Sequence, residues 1–130
     1  MSLRDAWRTL ELAWEEVEKY RKDGEVLRLR DACEKGWLAV VLATDALLVG
    51  CGYGKPSSYR ERREMLRELE RGDSRVAKLG LRDRFGARGF YLHVQGYHEG
   101  SLEVEEVIEE LGKAEEYVRD VEKLIGGLRR

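Results

Sequence analysis

Near the start of the chain, apolar residues recur at alternating intervals of four and three. Leu3, Trp7, Leu10, Trp14 and Val17 fall on one stripe with Ala6, Ala13 and Tyr20 beside it, which predicts an amphipathic helix from about Leu3 to Lys22. Both tryptophans lie on that stripe and so read as core residues rather than a ligand platform. Asp23-Gly24 ends the helix, because glycine takes the left-handed conformation that a tight reversal needs. A second helix follows from about Glu25 to Val49. Its main stripe runs through Val26, Leu29, Cys33, Trp37, Val40, Thr44, Leu47 and Leu48, while Leu38, Leu42 and Val49 add a second apolar strip on another face. A helix apolar on two sides is the centre of its bundle or carries a dimer face. Asp45 lies near the second strip. If buried it needs a partner, for which Arg88, a tyrosine hydroxyl or a histidine is available, and its expected fate is to reach solvent.

Gly50 to Ser58 has the look of a phosphate loop but fails the pattern. Val49 stands where the first glycine belongs, Pro56 follows Lys55 in place of Ser or Thr, and the preceding element is helical. A helix stop and a capping box from Ser58 to Glu61 explain the stretch. Tyr59 to Arg71 is a short, highly charged helix with few apolar anchors, expected on the outside. Asp73 or Ser74 caps the next helix, which starts with Val76, Leu79 and Leu81 and runs on towards Gly100. Ser101 is the expected cap of a last long helix with the stripe Val104, Val107, Leu111, Ala114, Val118, Val121 and Ile125, stopped by Gly126-Gly127 before a basic tail. The pattern gives a single all-α domain over 1–130: an up-and-down antiparallel bundle of four long helices plus one short charged helix.

Charge sharpens this picture. The net charge is only -2, yet Lys55 to Arg88 holds eleven Lys or Arg against six Asp or Glu, and Glu99 to Lys123 holds three against ten. Antiparallel helices that pair these faces account for the asymmetry; a basic patch left over would suit phosphate. Asparagine is absent and Arg outnumbers Lys by 17 to 7, a composition found in heat-adapted proteins. Cys33 and Cys51 are about 27 Å apart on one helix and cannot bridge within it, which points to reduced thiols in a cytoplasmic protein. No signal peptide is expected, because Met1 to Lys22 has no uninterrupted apolar run. Trp37 to Cys51 is too short for a membrane span and contains Asp45.

The stretch Phe85 to Gly100, FGARGFYLHVQGYHEG, collects the reactive residue types: Arg88, His93, His98, Tyr91 and Tyr97. As a continuous α-helix it places Gly86, Gly89, His93, Gly96 and Gly100 on one side, a stripe that lets another helix approach closely. His93 suits general base work because histidine titrates near neutrality, and Arg88 suits a phosphoryl oxygen because its fork stays charged. These are the tools of metal-free RNA cleavage. Five residues apart on an ideal α-helix, however, the two side chains point about 140° apart. They meet at one phosphate only if the helix begins or kinks near Gly89, or if a second subunit completes the site. Neither metal nor cofactor is expected, since His93 and His98 have the wrong α-helical spacing and no Cys or second carboxylate cluster accompanies them. Asp45, Tyr97 and His98 are candidate supporting residues.

Two segments carry a family resemblance. Ala32-Cys33-Glu34-Lys35-Gly36-Trp37-Leu38-Ala39, together with Leu92-His93-Val94-Gln95-Gly96-Tyr97 and Glu99-Gly100, resembles the archaeal PaREP-type proteins of the HEPN superfamily. That resemblance implies a four- or five-helix bundle, commonly dimeric, among metal-independent endoribonucleases that act as toxins or defence effectors beside a nucleotidyltransferase-type antitoxin partner. The superfamily motif, Arg followed after four to six residues by His, is met by Arg88 and His93. Gly89 follows the Arg where many active members carry a polar residue, and members with degenerate sites bind nucleotides or partners without cleaving. The expectation is a homodimeric HEPN-like ribonuclease acting on RNA; the alternative is a non-catalytic interaction or nucleotide-binding module that acts with a partner protein.

Overall fold

The computed structural model describes residues 3–128, and the basic tail at 129–130 lies outside them. The described residues form α1 (Leu3–Asp23), α2 (Val26–Gly50), α3 (Tyr59–Gly72), α4 (Ser74–Leu79), α5 (Leu81–Arg88) and α6 (Val104–Leu128), with a π-helical segment, Gly89–Glu99, continuing α5. All are helical, as the apolar periodicity predicts. Contacts between helices fix their directions. Trp7 and Trp14 reach Glu122 and Glu115 through their indole N–H groups, at 3.1 and 3.2 Å, so α1 and α6 are antiparallel. Gly36 lies against Leu111, and the Thr44 hydroxyl against that of Tyr117, so α2 runs parallel to α6. The π segment runs antiparallel to α2, with Gly89 on Trp37 and Gly96 on Cys33.

α2 is the central helix: α1, α6 and the π segment pack on it, and α3 and α5 touch it. This explains its main apolar strip. The main strip is buried in the core with Leu10, Val17, Phe85, Leu92 and Val118, except for Val26, which lies exposed at the first residue of the helix. The second is partly covered, Leu42 being half-buried while Leu38 and Val49 stay exposed. Tyr117 is fully buried, and its hydroxyl lies 2.6 Å from that of Thr44. Burial pushes its ionisation well above the ordinary tyrosine value, so the group stays a neutral hydrogen-bonding partner.

Several local expectations change. Asp45 does not reach solvent: it is 2% exposed, and Arg62 of α3 grips it with two bonds of 2.6 and 2.8 Å. The reason is that α3 turns one arginine inward against α2, so Arg62 supplies the partner, and Arg88, tyrosine and histidine do not. The helix expected to run unbroken from Val76 is interrupted at Gly80, whose φ of 61° is the left-handed conformation that closes α4. Ser58 caps α3 as expected, but Glu61 returns its carboxylate to Ser57, one residue early. Asp73 caps α4 through the Arg75 amide. Ser101 does not cap α6; its hydroxyl donates to the Gln95 carbonyl, and Glu106 reaches back to the Glu103 amide instead. α6 also continues through Gly126-Gly127 to Leu128, since helix interiors tolerate glycine at a modest cost. Among the described residues no helix is long and apolar enough to cross a membrane.

Candidate functional site

The helix does not kink near Gly89 to bring Arg88 and His93 together; it changes its winding there. α5 ends at Arg88, and from Gly89 the backbone is π-helical for 11 residues, up to the cap at Gly100. Gly100 closes the segment by donating its N–H to the Gln95 carbonyl, five residues back. In such a helix the i→i+5 hydrogen bond brings residues five apart onto one side, and stretches of this kind occur frequently at functional sites. His93 and His98 are five apart. Their Nε2 atoms lie 3.2 Å from one another, so the spacing that looks wrong on an α-helix brings the two rings together here.

Small residues hold the segment close to α2. A Cβ on Gly89 would meet the Trp37 ring at 3.1 Å, and one on Gly96 would lie 2.5 and 2.7 Å from Sγ and Cβ of Cys33. At the far end Arg30 donates to the carbonyls of Tyr97 and His98, at 2.7 and 2.9 Å, and satisfies acceptors that the last turn leaves open. Gly96→Ala is therefore expected to destabilise the fold by about 1–3 kcal/mol, because backbone-proximal atoms of Cys33 cannot move aside. Gly36→Ala meets only the end of the Leu111 side chain and serves as the mild control. Urea unfolding midpoints of the two variants check the difference.

His93 is the centre of the resulting cluster. Glu34 of α2 accepts from its Nδ1 at 2.8 Å, which orients the ring and presents Nε2 outward to His98. Tyr97 stacks on it at 6.2 Å, and Trp37 and Tyr59 approach at 6.1 and 5.9 Å. Tyr59 also accepts from the Trp37 indole at 3.3 Å, tying the start of α3 to the cluster. His93 and Glu34 are half-buried, whereas His98 and Tyr59 are exposed, so the Nε2 pair opens to solvent. Among the described residues no third His, Cys, Asp or Glu joins the two Nε2 atoms to hold a metal, and Glu34 binds the opposite nitrogen of His93. With a carboxylate behind one imidazole and a second imidazole in front, the arrangement can take up a proton at one nitrogen and deliver one from the other.

The remaining candidates lie elsewhere. Arg88 is 5% exposed and turns inward to an ion pair with Glu110 of α6, with its guanidinium over the Tyr91 ring. It makes no contact with either imidazole. Asp45 belongs to the Arg62 pair and not to the cluster. Cys33 borders the site but is no nucleophile: burial, with Glu110 and Glu34 nearby, pushes its thiol up to about 12. Of the residues that build the site, Tyr59 and Arg30 escape a reading by sequence, and Glu34 enters it only within the Ala32 to Ala39 segment, with no role given to it. Each lies in a different helix from the histidines and carries no local signature, although Glu34 and Trp37 fall one turn apart on α2. No protein-family model, no curated protein sequence and no solved structure matches this chain.

Proposed function

We propose that the chain is a HEPN-like, metal-independent endoribonuclease whose acid–base pair is His93 and His98. The observation that carries this reading is the line from the Glu34 carboxylate through His93 to His98, with contacts of 2.8 and 3.2 Å at a half-exposed face. His93 Nε2 takes the proton of an RNA 2'-hydroxyl as its oxygen bonds to the adjacent phosphorus. The bond from phosphorus to the 5'-oxygen breaks, and His98 Nε2 delivers a proton to that oxygen. The products are a 2',3'-cyclic phosphate and a 5'-hydroxyl. Glu34 holds the His93 ring in orientation through Nδ1, as a carboxylate does behind a catalytic imidazole. Arg88 acts as a positioning residue, anchoring the start of the π segment to α6.

The test is cleavage of single-stranded RNA in the presence of chelator. Wild-type protein is expected to release cyclic-phosphate ends, and His93→Ala to lower the rate by about 10²–10⁴-fold, the usual size of an acid–base contribution. Cleavage that survives His93→Ala unchanged, or none by the wild type on any RNA tried, removes the proposal.

One observation favours the second reading, an interaction module. Phe90, Tyr91 and Val94 are exposed on the π segment beside the histidines, an apolar set suited to a second copy or a partner protein. In that case His93→Ala lowers self-association and leaves RNA untouched.

A further inference from the structure

The basic middle of the chain divides in two. Part of it pairs with the acidic last helix, Arg84 with Asp120 at 2.9 Å and Arg88 with Glu110. The rest does not. Arg60, Arg63, Arg67 and Arg82 line a groove of about 210 Å³ between α3 and α5 whose one other lining residue is Glu64. Glu64 is engaged by Arg60 at 3.0 Å. Glu70, nearby, accepts from the backbone N–H of Arg82, and Glu61 is tied to Ser57. The guanidiniums of Arg63, Arg67 and Arg82 have no carboxylate within salt-bridge distance among the described residues, and all three side chains are exposed.

This arrangement is not the outcome of a shortage of carboxylates. The chain carries 26 Asp or Glu against 24 Lys or Arg. Elsewhere on the surface Arg8, Arg21, Arg28, Arg75 and Arg119 each have an acidic partner. Unneutralised arginines facing one concave surface create a local positive potential, and their planar forks match phosphate oxygens. We propose that this groove docks the backbone of a single RNA strand and leads it to the His93/His98 pair, an inference that rests on the ribonuclease reading.

Placement favours RNA over other polyanions. Arg60, Arg63 and Arg67 follow one another on a single face of α3, spanning about 10 Å, the reach of a few phosphates. The residue before them, Tyr59, is 43% exposed and packs on His93. A strand lying along the arginines therefore meets an aromatic face on which a base can stack, and the acid–base pair directly beyond it. No apolar residue lines the groove to insert into lipid.

The experiment measures binding and cleavage separately, with a fluorescein-labelled 20-nucleotide RNA in chelator, by anisotropy across 50–300 mM salt. The triple variant Arg63→Gln, Arg67→Gln, Arg82→Gln is expected to bind about tenfold or more weakly. Its slope of log affinity against log salt is expected to be shallower by about 2, three single-strand contacts at about 0.7 each. These are exposed positions, so its melting curve checks that the fold is intact. His93→Ala is expected to bind as the wild type does. If the wild type binds and the triple variant matches it at every salt, the groove is overturned while the acid–base site stands or falls by the His93 cleavage result. Loss of binding in the triple variant with no cleavage by the wild type supports the groove and overturns the ribonuclease reading. Absence of RNA binding at 50 mM salt, or arginine-dependent retention on anionic vesicles or poly-glutamate in place of RNA, overturns the inference.

Discussion

Arg88→Ala is expected to lower the unfolding free energy by about 3–5 kcal/mol, the cost of leaving one partner of a buried ion pair without the other. Glu110 is 7% exposed, and the Arg88 guanidinium is its buried partner. Lys113, at 3.6 Å, is mostly exposed and offsets only part of the loss. A urea titration in which the midpoint falls and the slope stays constant is the check. The double variant Arg88→Met, Glu110→Leu removes both charges at similar volume and is expected to recover most of the stability, since two desolvation costs vanish with the attraction. Its RNA cleavage then separates two roles. Because Arg88 touches Glu110 and neither imidazole, cleavage is expected to persist with a changed KM and a similar kcat. A folded double variant without activity would place the guanidinium in the chemistry.

Arg62→Ala is expected to have an effect of similar size for the same reason. Asp45 is 2% exposed and held by two charged hydrogen bonds, and among the described residues no cation besides Arg62 lies within salt-bridge distance of it, Arg4 and Lys55 lining the same cleft further off. The cost is again about 3–5 kcal/mol. Asp45→Leu combined with Arg62→Met is the compensating pair. Hydrogen exchange distinguishes this site from the first: the single variant is expected to loosen α3, which is held to α2 by this pair and by the Tyr59 contact with Trp37, before the π segment responds. Uniform loss of protection across all helices would show that α3 does not open on its own.

The bundle was legible because its information is periodic. The stripes on α1, α2 and α6 state which faces are buried, and two of the helix caps, at Ser58 and Asp73, are written in residue type. The charged helix α3 shows where that reading stops. Arg62 lies among Arg60, Arg63 and Arg67 in sequence and is indistinguishable from them by type, yet it alone turns inward to Asp45. The direction depends on the angle at which α3 crosses α2, which the glycine-rich connection sets and composition does not encode. The candidate site was legible as a stretch but not as a geometry. His93 and His98 were identified, and their five-residue spacing counted against them on α-helical geometry. The winding that nevertheless brings the two rings together rests on close contacts with Trp37 and Cys33, more than fifty residues away in the chain.

Arg30 holds the carbonyls of both Tyr97 and His98, so the backbone under the second histidine is fastened to the central helix while its imidazole stands in solvent. Exposed side chains change rotamer in picoseconds to nanoseconds, whereas packed helices shift over microseconds or longer. The two imidazoles can therefore part and close again at side-chain speed on a stationary frame. On the ribonuclease reading proposed above, a phosphate would enter between them by the swing of one ring rather than by movement of a helix.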